Sequence, residues 1–137
     1  MTTLASARRE DPRRRLGRLG EELAAAHFRR LGFVLLERNV RTRHGEIDLI
    51  ALASGVLVFA EVKTARAGAG GSCAARAHPL QWLGARQRAR LRRLAAAWLS
   101  EHSATRSGVR TIRFDAVGVT VDSCGRLLAL EHLEGAW

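Results

Sequence analysis

The sequence is almost without lysine: all but one of its 23 basic side chains are arginine, and the exception, Lys63, follows a glutamate by two residues at the end of an apolar run. Cysteine is scarce too. Cys73 and Cys124 form no CxxC and share no zinc-ligand spacing with a histidine, which argues against a disulfide framework and a structural zinc site. A reducing cytoplasm is the expected setting. No apolar run approaches bilayer-spanning length, and the opening MTTLASARREDPRRR lacks the apolar core of a secretory signal, so residues 1–15 read as a solvated basic arm and no membrane partner is expected. Aromatic residues make up only 5% of the chain, which leaves few platforms for stacking bases. Any nucleic acid would then be recognised through its backbone or shape.

What is present suffices for one domain, residues 16–137: 47% of the 137 residues are apolar, enough for a real core. The formal charge of +10 attracts polyanions through counterion release, and the planar guanidinium suits bidentate contact with phosphate. Coding bias and solubility account for the same composition, because net charge speaks to partners and not to fold.

Leu16 to Leu31 carries the helical period, with Leu16, Gly20, Leu23, Ala24, His27, Phe28 and Leu31 on one face and Gly32 as a stop. On this wheel Glu21 borders the apolar face while Glu22 points away. Phe33 to Leu36, Gly45 to Leu52 and Val56 to Thr64 read as strands, the last two as a hairpin around Ser54-Gly55. The glycine-rich stretch from Ala67 to Ser72 reads as a flexible loop; it is not a phosphate-cradling P-loop, because Lys63-Thr64 precedes the glycines. Leu80 to Ser100 is a second amphipathic helix, with Arg86, Arg88, Arg90, Arg92 and Arg93 off the apolar face and Gln87 near the middle of it. Val109 to Val121 and Leu127 to Leu133 give two further strands joined by a turn at Asp122 to Gly125.

Strand alternation turns Glu61 and Lys63 to one side, and Glu46 and Asp48 to one side of the neighbouring strand. If the hairpin sets Asp48 opposite Glu61, two or three carboxylates converge beside one ammonium. Crowded like charges in a poorly hydrated place need a cation or a proton. All-oxygen ligands select a hard ion, Mg2+ or Mn2+, held by Asp48 and Glu61, and such an ion polarises a phosphoryl oxygen and activates water. An ammonium on Lys63 suits orienting that water better than a guanidinium, a reason for the solitary lysine. The plainer reading is a salt bridge that neutralises a strand end. Glu46 is open to a similar register-fixing role. His27 reads as a core histidine, and His44, His78, His102 and His132, which share no spacing, as surface residues. The faces around Asp115 leave its orientation open.

Gly17-x-x-x-Glu21, Arg38-Asn39-Val40-Arg41, Gly45-Glu46-Ile47-Asp48-Leu49-Ile50, Phe59-Ala60-Glu61-Val62-Lys63-Thr64, the helix from Arg86 to Leu94, and Arg113-Phe114-Asp115-Ala116-Val117 together resemble the bacterial YraN-like family, in order and with spacing intact. That family looks like a branch of the PD-(D/E)xK nucleases, related in architecture to restriction endonucleases and Holliday-junction resolvases. The resemblance implies an α/β fold, a central mixed sheet flanked by helices. It implies Asp48, Glu61 and Lys63 as the motif, Glu21 as the acid of the first helix, and Gln87 as a polar residue facing the site. Metal ligands would be Asp48, Glu61 and Glu21, with the Val62 carbonyl as a further candidate. Ile47 replaces the proline of the motif's name. The loop from Ala65 to Pro79 lacks the Arg-Ser and Phe-Gly pattern of the family.

The reading that follows is a magnesium-dependent endonuclease acting on DNA, with branched DNA among the candidate substrates. Arg86, Arg88, Arg90 and Arg93 are candidate phosphate contacts, as are Arg13 to Arg15, and a homodimer would suit an enzyme that acts on two strands. The alternative is a non-catalytic nucleic-acid-binding protein that keeps the nuclease fold. A domain whose charge engages a protein partner or ribosomal RNA is a third.

Overall fold

The computed structural model describes residues 9–68 and 84–136. The first amphipathic stretch forms α1 (Pro12–Arg30). It begins ahead of the apolar pattern, so Arg13, Arg14 and Arg15 are helical and not part of an arm. Two capping signals extend it: Asp11 accepts a hydrogen bond from the Arg13 N–H at 3.0 Å, and Pro12 sits at the first turn, where a missing N–H costs nothing. Residues 1–8 lie outside the described residues.

Three strands follow, β1 (Val34–Thr42), β2 (Gly45–Ala53) and β3 (Val56–Arg66). Helix α2 (Ala85–Glu101) and the short α3 (Ser103–Arg106) lead into β4 (Thr111–Val121) and β5 (Leu127–Leu133). The strands lie in the order β1-β2-β3-β4-β5, with β3 and β4 parallel and all other neighbours antiparallel. This is the expected mixed sheet with helices against it. β1 runs six residues past the predicted end at Leu36, because its second half lies on a sheet edge where polar side chains reach water. The predicted positions Leu80 and Leu83 of the second helix lie outside the described residues, as do His78, Cys73 and most of the glycine-rich loop.

Each sheet face is covered by one helix. Ala24, Ala25 and Phe28 of α1 pack with Leu49, Val58, Ala60 and Val117. Leu91, Leu94 and Trp98 of α2 pack with Ile50, Leu57 and Phe59. A strand buried on both sides has no polar face, which is why Leu57 to Ala60 is a continuous apolar run.

Helix α1 meets β3 at Gly20. A Cβ there would fall 1.7 Å from Thr64 Oγ1, so only glycine permits this approach, and Glu21 rides in at the next position. Gly20→Ala forces helix and strand apart and is expected to cost at least about 2 kcal/mol in urea unfolding. An unchanged unfolding midpoint would show that the two elements are not packed this closely.

Candidate metal centre

β2 and β3 are paired from Ala53↔Val56 to Leu49↔Ala60. Beyond that point Asp48 takes over from the backbone ladder: its Oδ2 accepts the Val62 N–H at 2.8 Å. Asp48 and Glu61 are thereby brought together at the rim of the core, each 8% exposed. From α1 comes Glu21, and from the start of β2 Glu46; one carboxylate oxygen from each of Glu21, Glu46 and Asp48 lies within 4.8 Å of the others.

The electrostatics of this cluster are unfavourable without a cation. Burial pushes the Asp48 carboxyl up to about 8, reinforced by the negative charges of Glu61, Glu21 and Glu46, and the single Val62 hydrogen bond offsets only part of this. Burial also raises Glu21, against a hydrogen bond from the Asn39 side chain, with Glu46 and Glu61 adding to the rise. The Glu21 Oε2 is buried and has no hydrogen-bond partner among the described residues. A buried acceptor without a donor costs about 1–3 kcal/mol, so an orphaned oxygen on a carboxylate grouped with two others is what an oxygen-ligated divalent cation would relieve. The donor set fits such an ion.

Glu61 is occupied differently. Its Oε1 lies 3.2 Å from Lys63 Nζ and accepts a hydrogen bond from Gln87 Nε2 of α2 at 3.3 Å. The Lys63 side chain is 38% exposed, so it reaches from the buried carboxylate to the surface. Beside Glu21 and Glu46 a cleft of 470 Å³ opens between α1 and β1.

All five sequence-predicted catalytic residues thus fall into one connected region reached from four elements, α1, β2, β3 and α2. Comparison with known sequences places the region in a family. The sequence profile described as uncharacterised protein family UPF0102 matches residues 20–119. This chain belongs to the UPF0102 family. A UPF0102 protein of Acidothermus cellulolyticus is 46% identical over 78% of this chain and 82% of its own length. One of Frankia alni is 45% identical over 89% and 93%, and one of Streptomyces griseus 42% identical over 88% and 93%. The matched UPF0102 span contains Glu21, Glu46, Asp48, Glu61, Lys63 and Gln87.

Two UPF0102 residues at the centre were not among the predicted site residues. Glu46 shares a side of β2 with Asp48, a signal visible in the sequence, yet alternation cannot tell a metal-facing carboxylate from a salt-bridged one. Asn39, which holds Glu21, has a φ of 52°, a left-handed conformation that asparagine tolerates better than most residues. The helix wheel sorted its acids correctly: Glu22 is exposed and pairs with Arg38 at 2.6 Å. Of the candidate phosphate contacts on α2, Arg86, Arg90 and Arg93 are exposed and Arg88 is half-buried. Arg90 packs over Gly45, next to Glu46; a Cβ there would lie 3.4 Å from its Nε.

Asp115 and His132 correct the sequence reading. His132 is not a surface residue: its side chain is 9% exposed, its Nε2 lies 2.7 Å from Asp115 Oδ2, and its Nδ1 lies 3.0 Å from His27 Nε2. Asp115 is fully buried and is also held by Arg113 Nε at 2.8 Å and the Gly135 N–H at 3.1 Å. Burial pushes its carboxyl up, but His132, Arg113 and Gly135 together hold it below the ordinary value. The contrast with Asp48 separates their roles. A buried carboxylate with its donors supplied is held as a structural anion; one with a single donor among the described residues and three acidic neighbours is compensated by a proton or could be by a cation. Among the described residues no helix is long and apolar enough to cross a membrane.

Proposed function

We propose that this chain is a divalent-metal-dependent endonuclease that hydrolyses phosphodiester bonds in DNA. The observation that carries this reading is the convergence of the Glu21, Glu46 and Asp48 carboxylates within 4.8 Å, with the Glu21 Oε2 buried and unpartnered, beside the Glu61–Lys63 pair. Glu21, Glu46 and Asp48 would hold Mg2+ or Mn2+, with Glu61 and the Val62 carbonyl as additional ligands. When bound, the ion supplies charge to stabilise the phosphorane-like transition state and draws a phosphoryl oxygen into line.

The chain's own residues do the rest. Gln87 fixes the Glu61 carboxylate, and Glu61 fixes Lys63 Nζ, so the ammonium is held beside the carboxylates. From there it donates a hydrogen bond to the attacking water and aims its lone pair at phosphorus. Arg86, Arg88, Arg90 and Arg93 attract the polyanionic backbone without reading bases. The chain's small number of aromatic residues agrees with a substrate recognised by backbone and shape.

The test is calorimetric titration with magnesium combined with a nicking assay on linear, branched and single-stranded DNA. Wild type is expected to bind the ion and cut at least one substrate, and Asp48→Ala to do neither. Salt-sensitive DNA binding that is indifferent to chelators, with no magnesium heat, would instead mean a nucleic-acid-binding protein built on the same fold.

A further inference from the structure

The cleft beside the carboxylates has an unusual charge balance. Its charged lining consists of Arg14 and Arg18 of α1, Arg41 of β1, and Glu10, Glu21 and Glu46: three guanidinium groups against three carboxylates. Arg18 is already paired with Glu10. Arg14 and Arg41 are exposed, and their guanidinium groups make no ion pair among the described residues. Left to itself, the lining is formally neutral and offers a phosphate no net attraction. A divalent cation on Glu21, Glu46 and Asp48 reverses this, because the arginines are then in excess.

We infer that this cleft is a phosphate subsite for one nucleic acid strand, in which Arg14 and Arg41 grip the phosphate neighbouring the scissile one, and that the divalent cation switches its affinity on. The inference rests on the metal-centre reading and adds to it the path of the strand and an order of events. The geometry favours a strand over a smaller anion, because 470 Å³ is the size of a site for a nucleotide-sized ligand and far exceeds a phosphate ion. It favours a single strand over a duplex, because Arg14 on the α1 wall and Arg41 on the β1 wall flank a 470 Å³ cleft that has room for one backbone only. Linkage makes the effect reciprocal: the factor by which the cation tightens strand binding is the factor by which the strand tightens cation binding. An enzyme built this way meets a strand tightly only when loaded for chemistry.

The experiment uses the full chain, calcium as an oxygen-ligated cation, and a short fluorescein-labelled single-stranded DNA followed by anisotropy. Wild type is expected to bind at least about tenfold more tightly with calcium than with chelator, a difference of about 1.4 kcal/mol. The double variant Arg14→Ala, Arg41→Ala is expected to lose that difference. The slope of log affinity against log salt should fall by about 0.7, the value for the one phosphate that the pair neutralises on a single strand. Its calcium affinity without DNA should not fall, since removing two guanidinium groups takes away only repulsion of the cation, and its melting temperature should stay at the wild-type value, since both side chains are exposed. Residual binding, through α2, should ignore calcium. If the double variant keeps the full calcium dependence, or if duplex of the same sequence binds as tightly as the single strand, the subsite is overturned and the metal centre stands. If wild type shows no calorimetric heat with calcium or magnesium, the metal centre itself falls, and the subsite with it.

Discussion

Asp48→Asn is expected to make the metal-free protein more stable, and to remove all stabilisation by magnesium. In the folded state the Asp48 carboxyl is raised from its ordinary 3.8 to about 8, chiefly by burial and then by Glu61. A raised folded value means that the native state binds the proton more tightly than the unfolded chain. The contribution is therefore full below about pH 4, is lost progressively as pH rises, and is gone once pH passes about 8. Each factor of ten in proton affinity is worth about 1.36 kcal/mol, so the whole rise corresponds to ~6 kcal/mol. Asparagine cannot ionise and so escapes both the burial cost of the charge and the repulsion from Glu61, Glu21 and Glu46; desolvation of its amide NH2 offsets part of this, and a gain of about 2 kcal/mol at pH 8 is expected.

Asparagine keeps an oxygen to accept the Val62 N–H and offers its amide to a neighbouring carboxylate, so the fold loses no bond there. Thermal scans give the test. Between about pH 7 and pH 8 the wild-type melting temperature should fall while that of Asp48→Asn stays level. His27, held below its ordinary 6.5 by burial and by His132, is neutral in this window and does not obscure the trend. Magnesium at about a hundredfold over its dissociation constant should raise wild type by about 2.7 kcal/mol and leave the variant unmoved. A variant less stable than wild type at pH 8 without metal would contradict the crowded-carboxylate account.

The second large effect falls on catalysis. Lys63→Met removes the ammonium but not the carboxylates, so magnesium affinity should survive while nicking falls by about 10² to 10⁴. Lys63→Arg should rescue little of this: the guanidinium keeps the charge, but its broad fork does not place one donor where Nζ lies, 3.2 Å from Glu61 Oε1. Rates under single-turnover conditions, read beside calorimetric magnesium titrations, separate the two functions. A Lys63→Met variant that cuts like wild type would leave the solitary lysine without a role in the reaction.

The parts of the site legible in the sequence are those set by local periodicity. The helix period distinguished Glu21 from Glu22, and strand alternation put Glu46 and Asp48 on one side and Glu61 and Lys63 on another. Gln87 stood out because an amide interrupted an apolar face. What escaped was set by contacts distant in sequence. His132 meets His27 across 105 positions, and no spacing could have paired them. The second half of β1, Arg38 to Thr42, is polar because it is an edge, and edges do not exist until the sheet is assembled. The early start of α1 at Pro12 depended on the Asp11 cap, a local signal outweighed in the reading by the density of arginines around it.

The measurement closest to the central claim is the anomalous diffraction of a manganese-soaked crystal. A peak bonded at roughly 2.0–2.3 Å to oxygens of Asp48 and of Glu21 or Glu46, with Lys63 Nζ facing the same pocket, is the predicted result. Well-ordered Glu21, Glu46 and Asp48 carboxylates with no peak between them would contradict it, as would manganese bound only elsewhere on the chain.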